Sequence, residues 1–306
     1  MPRVGSSVAA VAAVVLVAAL GAPGSVEAYG APDLSADSST RPEVTVRGDR
    51  EYEETRIRAY VSRSIRQPFD DSLARWDRPV CPLVAGFSPE GSERVLARLK
   101  TTVSSVGAEL ANGKCTPNFA VIDTEDPATV LSGWYKRDQY LFGDAGVMEV
   151  RHFLKTDLPV RVWYNIQGQP PGPSVPAAQQ FLGTGGRPVP TTQITEATRL
   201  IYPSVRAFSS VIVVIDRKQA AGLSADQLAD YAAMVGLAEI DKSAGGATDP
   251  TILRLFLAAD VVRPAGLTSW DTSLLSALYH TDQKLKTQRS EIQTRVIHEV
   301  VGGDGK

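Results

Sequence analysis

Asp226 and Asp230 stand four residues apart in the run SADQLADYAAMVGLAEI. Its apolar spacing is helical, so the two carboxylates fall on one face, one turn apart. With Glu239 further along they are the candidate catalytic residues of a metal-dependent hydrolase. Carboxylate-only sites favour Mg²⁺, Mn²⁺ or Ca²⁺ over zinc. Such a hydrolase needs the acids to converge in a cleft with another polar group, from the 168–192 segment or from His152. The competing assignment is structural. Ser224-x-x-Gln227 reads as a capping box, with Asp226 in the first turn complementing the helix dipole. Leu228, Tyr231, Ala232 and Val235 form the apolar stripe, which leaves Asp230 on or near the polar side. Thr268-x-x-Asp271 is a second capping box, so Asp271 also reads as a cap.

Other chemistry finds less local support. His152, His280 and His298 are the three histidines, and none shares an HxH or HxxxH spacing. His298-Glu299 begins like a zinc-protease helix, but Gly302 occupies the place of the second histidine. Gly86-Phe87-Ser88-Pro89-Glu90 departs from a nucleophile elbow at Glu90, and a proline after the serine makes Ser88 a helix cap. Gly183-Thr184-Gly185-Gly186 lacks the spacing of a dinucleotide loop and the Lys-Ser/Thr of a phosphate loop. Arg47-Gly48-Asp49 is too short a match to an adhesion tripeptide to carry weight.

A longer pattern runs from Phe208 to Tyr279. Gly236-Leu237, Leu267-Thr268, Trp270-Asp271 and Leu278-Tyr279 match, in order, short motifs of uncharacterised exported bacterial proteins. This part of the chain resembles those proteins, whose fold is zincin-like and related to metallopeptidases. The resemblance implies a zincin-like scaffold with its metal ligands lost. Aligned on Gly236-Leu237, the ligand and glutamate positions hold Ala229, Asp230 and Ala233. Aligned on Asp226-Gln227, they hold Asp226, Gln227 and Asp230. Neither set supplies the two imidazoles with which zinc activates water near neutral pH.

The amino terminus sets the compartment. Arg3 precedes an uninterrupted small-apolar run, Val8 to Ala22, and Val26-Glu27-Ala28 places small residues at the −3 and −1 positions of a cleavage site. The reading is a cleaved export signal over 1–28, with a secreted or periplasmic mature chain and no membrane span within it. An uncleaved N-terminal anchor is the alternative. Cys81 and Cys115, the only cysteines, then read as a disulfide formed in an oxidising compartment. Closing a loop of about 35 residues would stabilise the fold by roughly 3–4 kcal/mol. The net charge of −2 argues against a nucleic-acid binder and against electrostatic docking on anionic lipid. Eight arginines between Arg47 and Arg78 are matched by seven acids in the same window, so this stretch is a solvated mixed-charge face.

The elements that position these residues follow from periodicity. Residues 29–44 read as a disordered leader, 45–300 as a single domain and 301–306 as a flexible tail. Strands are expected at 44–46, 79–86, 118–124, 158–167 and 209–215, the last apolar enough to be central. Helices are expected at 50–65, 88–110, from 126 through Leu141, and at 194–202, 224–240, 251–258, 269–279 and 283–300. Residues 168–192, with six prolines and five glycines, read as a long functional or flexible loop. The fold class is therefore α+β, a mixed sheet with packed helices and a helical C-terminal third. The leading functional expectation is a non-catalytic binding or scaffold protein without a cofactor or metal. Its partner would be an envelope or extracellular protein or peptide, met through an aromatic patch of Trp134, Tyr135, Trp163 and Tyr164. The stripe Leu285, Ile292, Val296, Ile297 and Val300 is expected to dock on the chain's own core rather than to form a dimer.

Overall fold

The run SSVIVVI lies inside a four-stranded sheet, paired along both edges, and it is apolar from Val211 to Ile215 because both of its faces meet helices. The computed structural model describes residues 41–68, 71–169, 181–182, 188–189, 199–241, 244, 246, 248–257 and 262–302. One compact unit spans Val44–Lys306. In chain order its elements are α1 (Arg41–Ser64), β1 (Pro82–Ala85), α2 (Pro89–Ser105), β2 (Phe119–Thr124), α3 (Pro127–Arg137) and α4 (Val147–Lys155). There follow β3 (Val160–Gln169), the two-residue strands β4 (Phe181–Leu182) and β5 (Pro188–Val189), β6 (Val205–Asp216), α5 (Ala225–Leu237), α6 (Ser269–His280) and α7 (Gln288–Gly302).

The sheet order is β1-β2-β6-β3, while β4 and β5 pair only with each other. β1, β2 and β6 are parallel, and β3 runs antiparallel along β6. The fold is thus α+β with a mixed sheet, as expected from strands in the first two thirds and helices collected at the end.

Alternation along β6 explains why it is apolar throughout. Val211, Val213 and Ile215 face a large core shared with α1, α2, α5, α6 and α7. Ile212 and Val214 face a smaller core made with Leu131 of α3, Phe142, and Val150 of α4. Helices therefore cover both faces. Ile292, Val296 and Ile297 of α7 lie buried in the large core, so that stripe docks within the chain, as expected.

The disulfide forms between Cys81 and Cys115, with Cα atoms 6.1 Å apart. It ties the start of β1 to the segment leading into β2, beside backbone bonds from Val80 N to Glu109 O (2.8 Å) and from Asn118 N to Cys81 O (3.1 Å). Among the described residues no helix is long and apolar enough to cross a membrane.

Several local expectations are corrected. Val44–Val46 lies in α1 rather than in a strand, because it continues into a helix held by its own charge pairs, including Arg50–Glu54 and Arg56–Glu53. The helix expected over 88–110 ends at Ser105, after which Gly107 takes φ +85°. Asp138 ends α3 and caps a separate 3₁₀ turn that holds Leu141. The helix α4, not anticipated, follows Gly146. Ile201 pairs with Leu285 in an isolated bridge rather than continuing a helix. Residues 252–254 make only a 3₁₀ turn, started by Thr251. The helix from 224 stops at Leu237, which leaves Glu239 beyond its end. The export signal, residues 29–40 of the leader, most of the 168–192 loop and residues 303–306 lie outside the described residues.

Candidate functional site

The acids of the helix α5 do not stand free. α2 and α5 pack side by side, and two successive turns carry ion pairs between residues 132 positions apart. Arg94 Nε donates to Asp226 Oδ1 at 2.7 Å, and its Nη2 to Oδ2 at 2.5 Å. One turn on, Arg98 donates to both oxygens of Asp230, at 2.5 and 2.6 Å. The Arg94 hydrogen bonds hold the Asp226 carboxyl below the usual carboxylate range. Both arginines are raised in turn by their carboxylate partners.

The two pairs differ in burial. Asp226 is partly exposed, whereas the Asp230 side chain is 1% exposed. This corrects the expectation that Asp230 faces the polar side. It points into the α2–α5 seam, where Leu267 N donates to its Oδ2 at 2.8 Å. Gly266 is required for that approach, since a Cβ there would lie 2.4 Å from Asp230 Oδ2. The helix interior accommodates this carboxylate because three donors converge on it.

Glu239 does not join them. It sits past the other end of α5, roughly 17 Å of helix from Asp226 at 1.5 Å per residue. There it accepts from Arg206 Nη1 at 2.6 Å. The three candidate catalytic acids thus occupy two separate places, each answered by arginine. Among the described residues no group of three or more His, Cys, Asp or Glu side chains is placed to hold a metal ion. His152, His280 and His298 are all exposed and lie on three different helices.

The residues that carried the sequence resemblance do assemble, as a packing junction. Gly236 lets the Phe119 ring press on α5, because a Cβ would lie 2.1 Å from the ring. Trp76 Nε1 donates to Gly236 O at 2.9 Å, and the Tyr279 hydroxyl to Leu237 O at 2.8 Å. Asp271, fully buried, completes the capping box of α6. It also accepts from Tyr60 Oη and Ile252 N, each at 2.8 Å, and from Thr251 Oγ1. Burial pushes its carboxyl up, against these donors, and it pushes the Tyr60 phenol well up too. Ser224 and Gln227 form the expected capping box, and Gln227 Nε2 also donates to Pro264 O at 2.8 Å.

The aromatic patch does not form. Trp163 and Tyr164 are consecutive in a strand, so they face opposite sides of the sheet. Trp163 is buried in the smaller core with Trp134 and Tyr135 against it, while Tyr164 packs on the larger core.

A concave site appears where sequence reasoning had not looked, at the carboxyl ends of the parallel strands. β1 and β6 send their following helices, α2 and α5, to the large-core face, whereas β2, lying between them, sends α3 to the other. Loops that diverge in this way leave a crevice outside the strand ends. It measures about 440 Å³ and is walled by Gly86 to Ser88 on one side and Ala220 to Leu223 on the other. The first turns of α2 and α5 close its flanks, and Asp123 and Arg217 line it.

Arg217 is the clamp of this site. Its Nε donates to Asp123 Oδ2 at 2.7 Å, and its Nη2 to Gly86 O at 2.5 Å. Gly86 takes φ +90°, and a Cβ there would lie 1.9 Å from Asp123 O, so only glycine brings the ends of β1 and β2 this close. Asp123 is 8% exposed, and its buried Oδ1 has no hydrogen-bond partner among the described residues. Ser88, as expected, is an N-cap, accepting from Gly91 N at 3.1 Å. The available signal was an acid closing each of two apolar strands, at VIDT and VVIDR, read only as strand ends.

The fold and site define an α+β protein with a mixed sheet and a crevice at its parallel strand ends. Compared with protein-family models, curated proteins and solved structures, the chain matches none of them.

Proposed function

We propose that the chain is an exported, non-catalytic binding protein that takes its ligand in the crevice at the ends of β1, β2 and β6. The observation that carries this reading is the engagement of the candidate catalytic acids by arginine: Asp226 by Arg94, Asp230 by Arg98 and Glu239 by Arg206. Pairing with a guanidinium neutralises each carboxylate and occupies the lone pairs that face the partner, which leaves it a poorer ligand for a metal. The Arg94–Asp226 and Arg98–Asp230 pairs instead fasten α2 to α5, which fixes the two helix ends flanking the crevice. Export is supported by the signal pattern of residues 1–28 and by the disulfide. Kinship with zincin-like proteins rests on the ordered pattern from Gly236-Leu237 to Leu278-Tyr279, and in that reading the scaffold outlived the ligands.

The test combines elemental mass spectrometry of the purified protein with a search for turnover of peptide and ester substrates. The expected result is a folded, metal-free protein that leaves every substrate intact. One tightly held divalent ion per chain, with hydrolysis lost in Asp226→Asn or Asp230→Asn, would overturn the reading in favour of the acidic metal-dependent hydrolase.

A further inference from the structure

We infer that the crevice binds a neutral polyhydroxylated ligand, a saccharide, held by Asp123 and Arg217. The inference rests on the binding-protein reading and names the ligand class. Asp123 supplies the first constraint. It is nine-tenths buried beneath the crevice, with Oδ2 engaged by Arg217 and Oδ1 left without a donor. Its position in β2 aims it there, since Val121 and Phe119, two and four residues back on the same face, lie in the core under α2 and α5. Buried acceptors in folded proteins are nearly always satisfied, so an orphaned carboxylate oxygen beneath a crevice points to a donor that arrives with a ligand.

Charge then selects among donors. A cationic ligand meets the Arg217 guanidinium already on the same carboxylate, together with the positive ends of α2 and α5. An anionic ligand meets the Asp123 carboxylate. A hydroxyl carries no charge and both donates and accepts. Of two neighbouring hydroxyls, one donates to Asp123 Oδ1 while the other accepts from Arg217. The Arg217 side chain is 44% exposed, and a ligand hydroxyl reaches Oδ1 only if that side chain swings aside. Phe87, Leu223 and Leu228 supply apolar lining for the C–H face of a sugar ring. At about 440 Å³ the crevice falls in the size range of small-ligand sites, roughly 300–1,000 Å³.

The experiment is amide chemical-shift mapping of the purified protein, titrated separately with glucose, N-acetylglucosamine and their disaccharides, and with glycine and inorganic phosphate. The expected result is a saturable shift of the Gly86, Ser88 and Gly222 amides with at least one saccharide. Affinity should fall about tenfold in Asp123→Asn, the usual loss of a hydrogen bond to a charged group. Arg217→Met should weaken it similarly, and the wild-type map stands if either variant fails to fold. Crevice shifts with glycine or phosphate and not with saccharide would overturn the ligand class and leave the binding reading in place. No crevice shift with any probe, or unchanged saccharide affinity in both folded variants, would overturn the assignment of this site.

Discussion

Arg98 and Asp230 form a bidentate ion pair that is asymmetric in burial: the carboxylate is 1% exposed and the guanidinium side chain 43%. Removing the arginine strands a charge in the α2–α5 seam, with Leu267 N the only other donor to it among the described residues. Arg98→Ala should cost roughly 2–4 kcal/mol, below the full value for a buried pair because Arg98 reaches water. Arg94→Ala, one turn nearer the crevice, should cost much less, since its partner Asp226 is already partly solvated. Urea denaturation of the two variants checks this, and equal losses would contradict the asymmetry.

The partly solvated pair has a signature in pH. Asp226 has its folded-state pKa depressed, first by the Arg94 hydrogen bonds. Its contribution is therefore present above the unfolded carboxylate value of about 4 and lost as pH falls through the folded one. The stability gap between wild type and Asp226→Asn should be open at neutral pH, close on acidification below about pH 4, and narrow at high salt. A gap that widens on acidification would contradict the assigned pair.

How much of this was legible in the chain depended on whether the signal was local. Ser88, Ser224-Gln227 and Thr268-Asp271 announced caps because a cap is written within four residues. SSVIVVI announced a central strand through composition alone. The extent of α1 and the end of α5 were not legible, because intrinsic propensity does not settle Val44–Val46 or Ala238-Glu239. The partner of Asp230 was hidden for a different reason: it is 132 positions away. Asp123 was hidden likewise, since its role depends on Gly86 and Arg217, brought together only when three strands align.

Tyr60 and Asp271 join α1 to α6 through a buried hydrogen bond of 2.8 Å. The Asp271 carboxyl is raised by burial, so its linkage runs opposite to that of Asp226: the folded state holds this proton more tightly, favouring stability at low pH and losing that advantage as pH rises through the folded pKa. The converging donors oppose the burial cost without cancelling it. Asp271→Asn keeps an oxygen for Ile252 N and Thr268 N but turns an NH2 toward the Tyr60 and Thr251 hydroxyls, which must then accept, and should cost roughly 1–3 kcal/mol. Tyr60→Phe should cost about 1–2 kcal/mol. A double-mutant cycle should return a coupling of about 1 kcal/mol or more, and additive losses would show that the bond does not hold α1 in place.

Reducing the Cys81–Cys115 disulfide should weaken the fold without dissolving it. The bridge spans a sequence separation of 34 residues, for which loop-closure entropy is worth about 3–4 kcal/mol. The same junction is held independently. Asn118 Oδ1 accepts from Cys81 N at 2.7 Å, Asn118 Nδ2 donates to Pro79 O at 3.0 Å, and Ala111 N donates to Val80 O at 2.9 Å. These bonds keep β1 in register with β2 when the sulfurs part. A Cys81→Ser, Cys115→Ser protein should therefore keep its far-ultraviolet circular dichroism while its denaturation midpoint drops. Loss of the native spectrum would mean that the bridge, and not this hydrogen-bonded junction, sets the pairing of the first two strands.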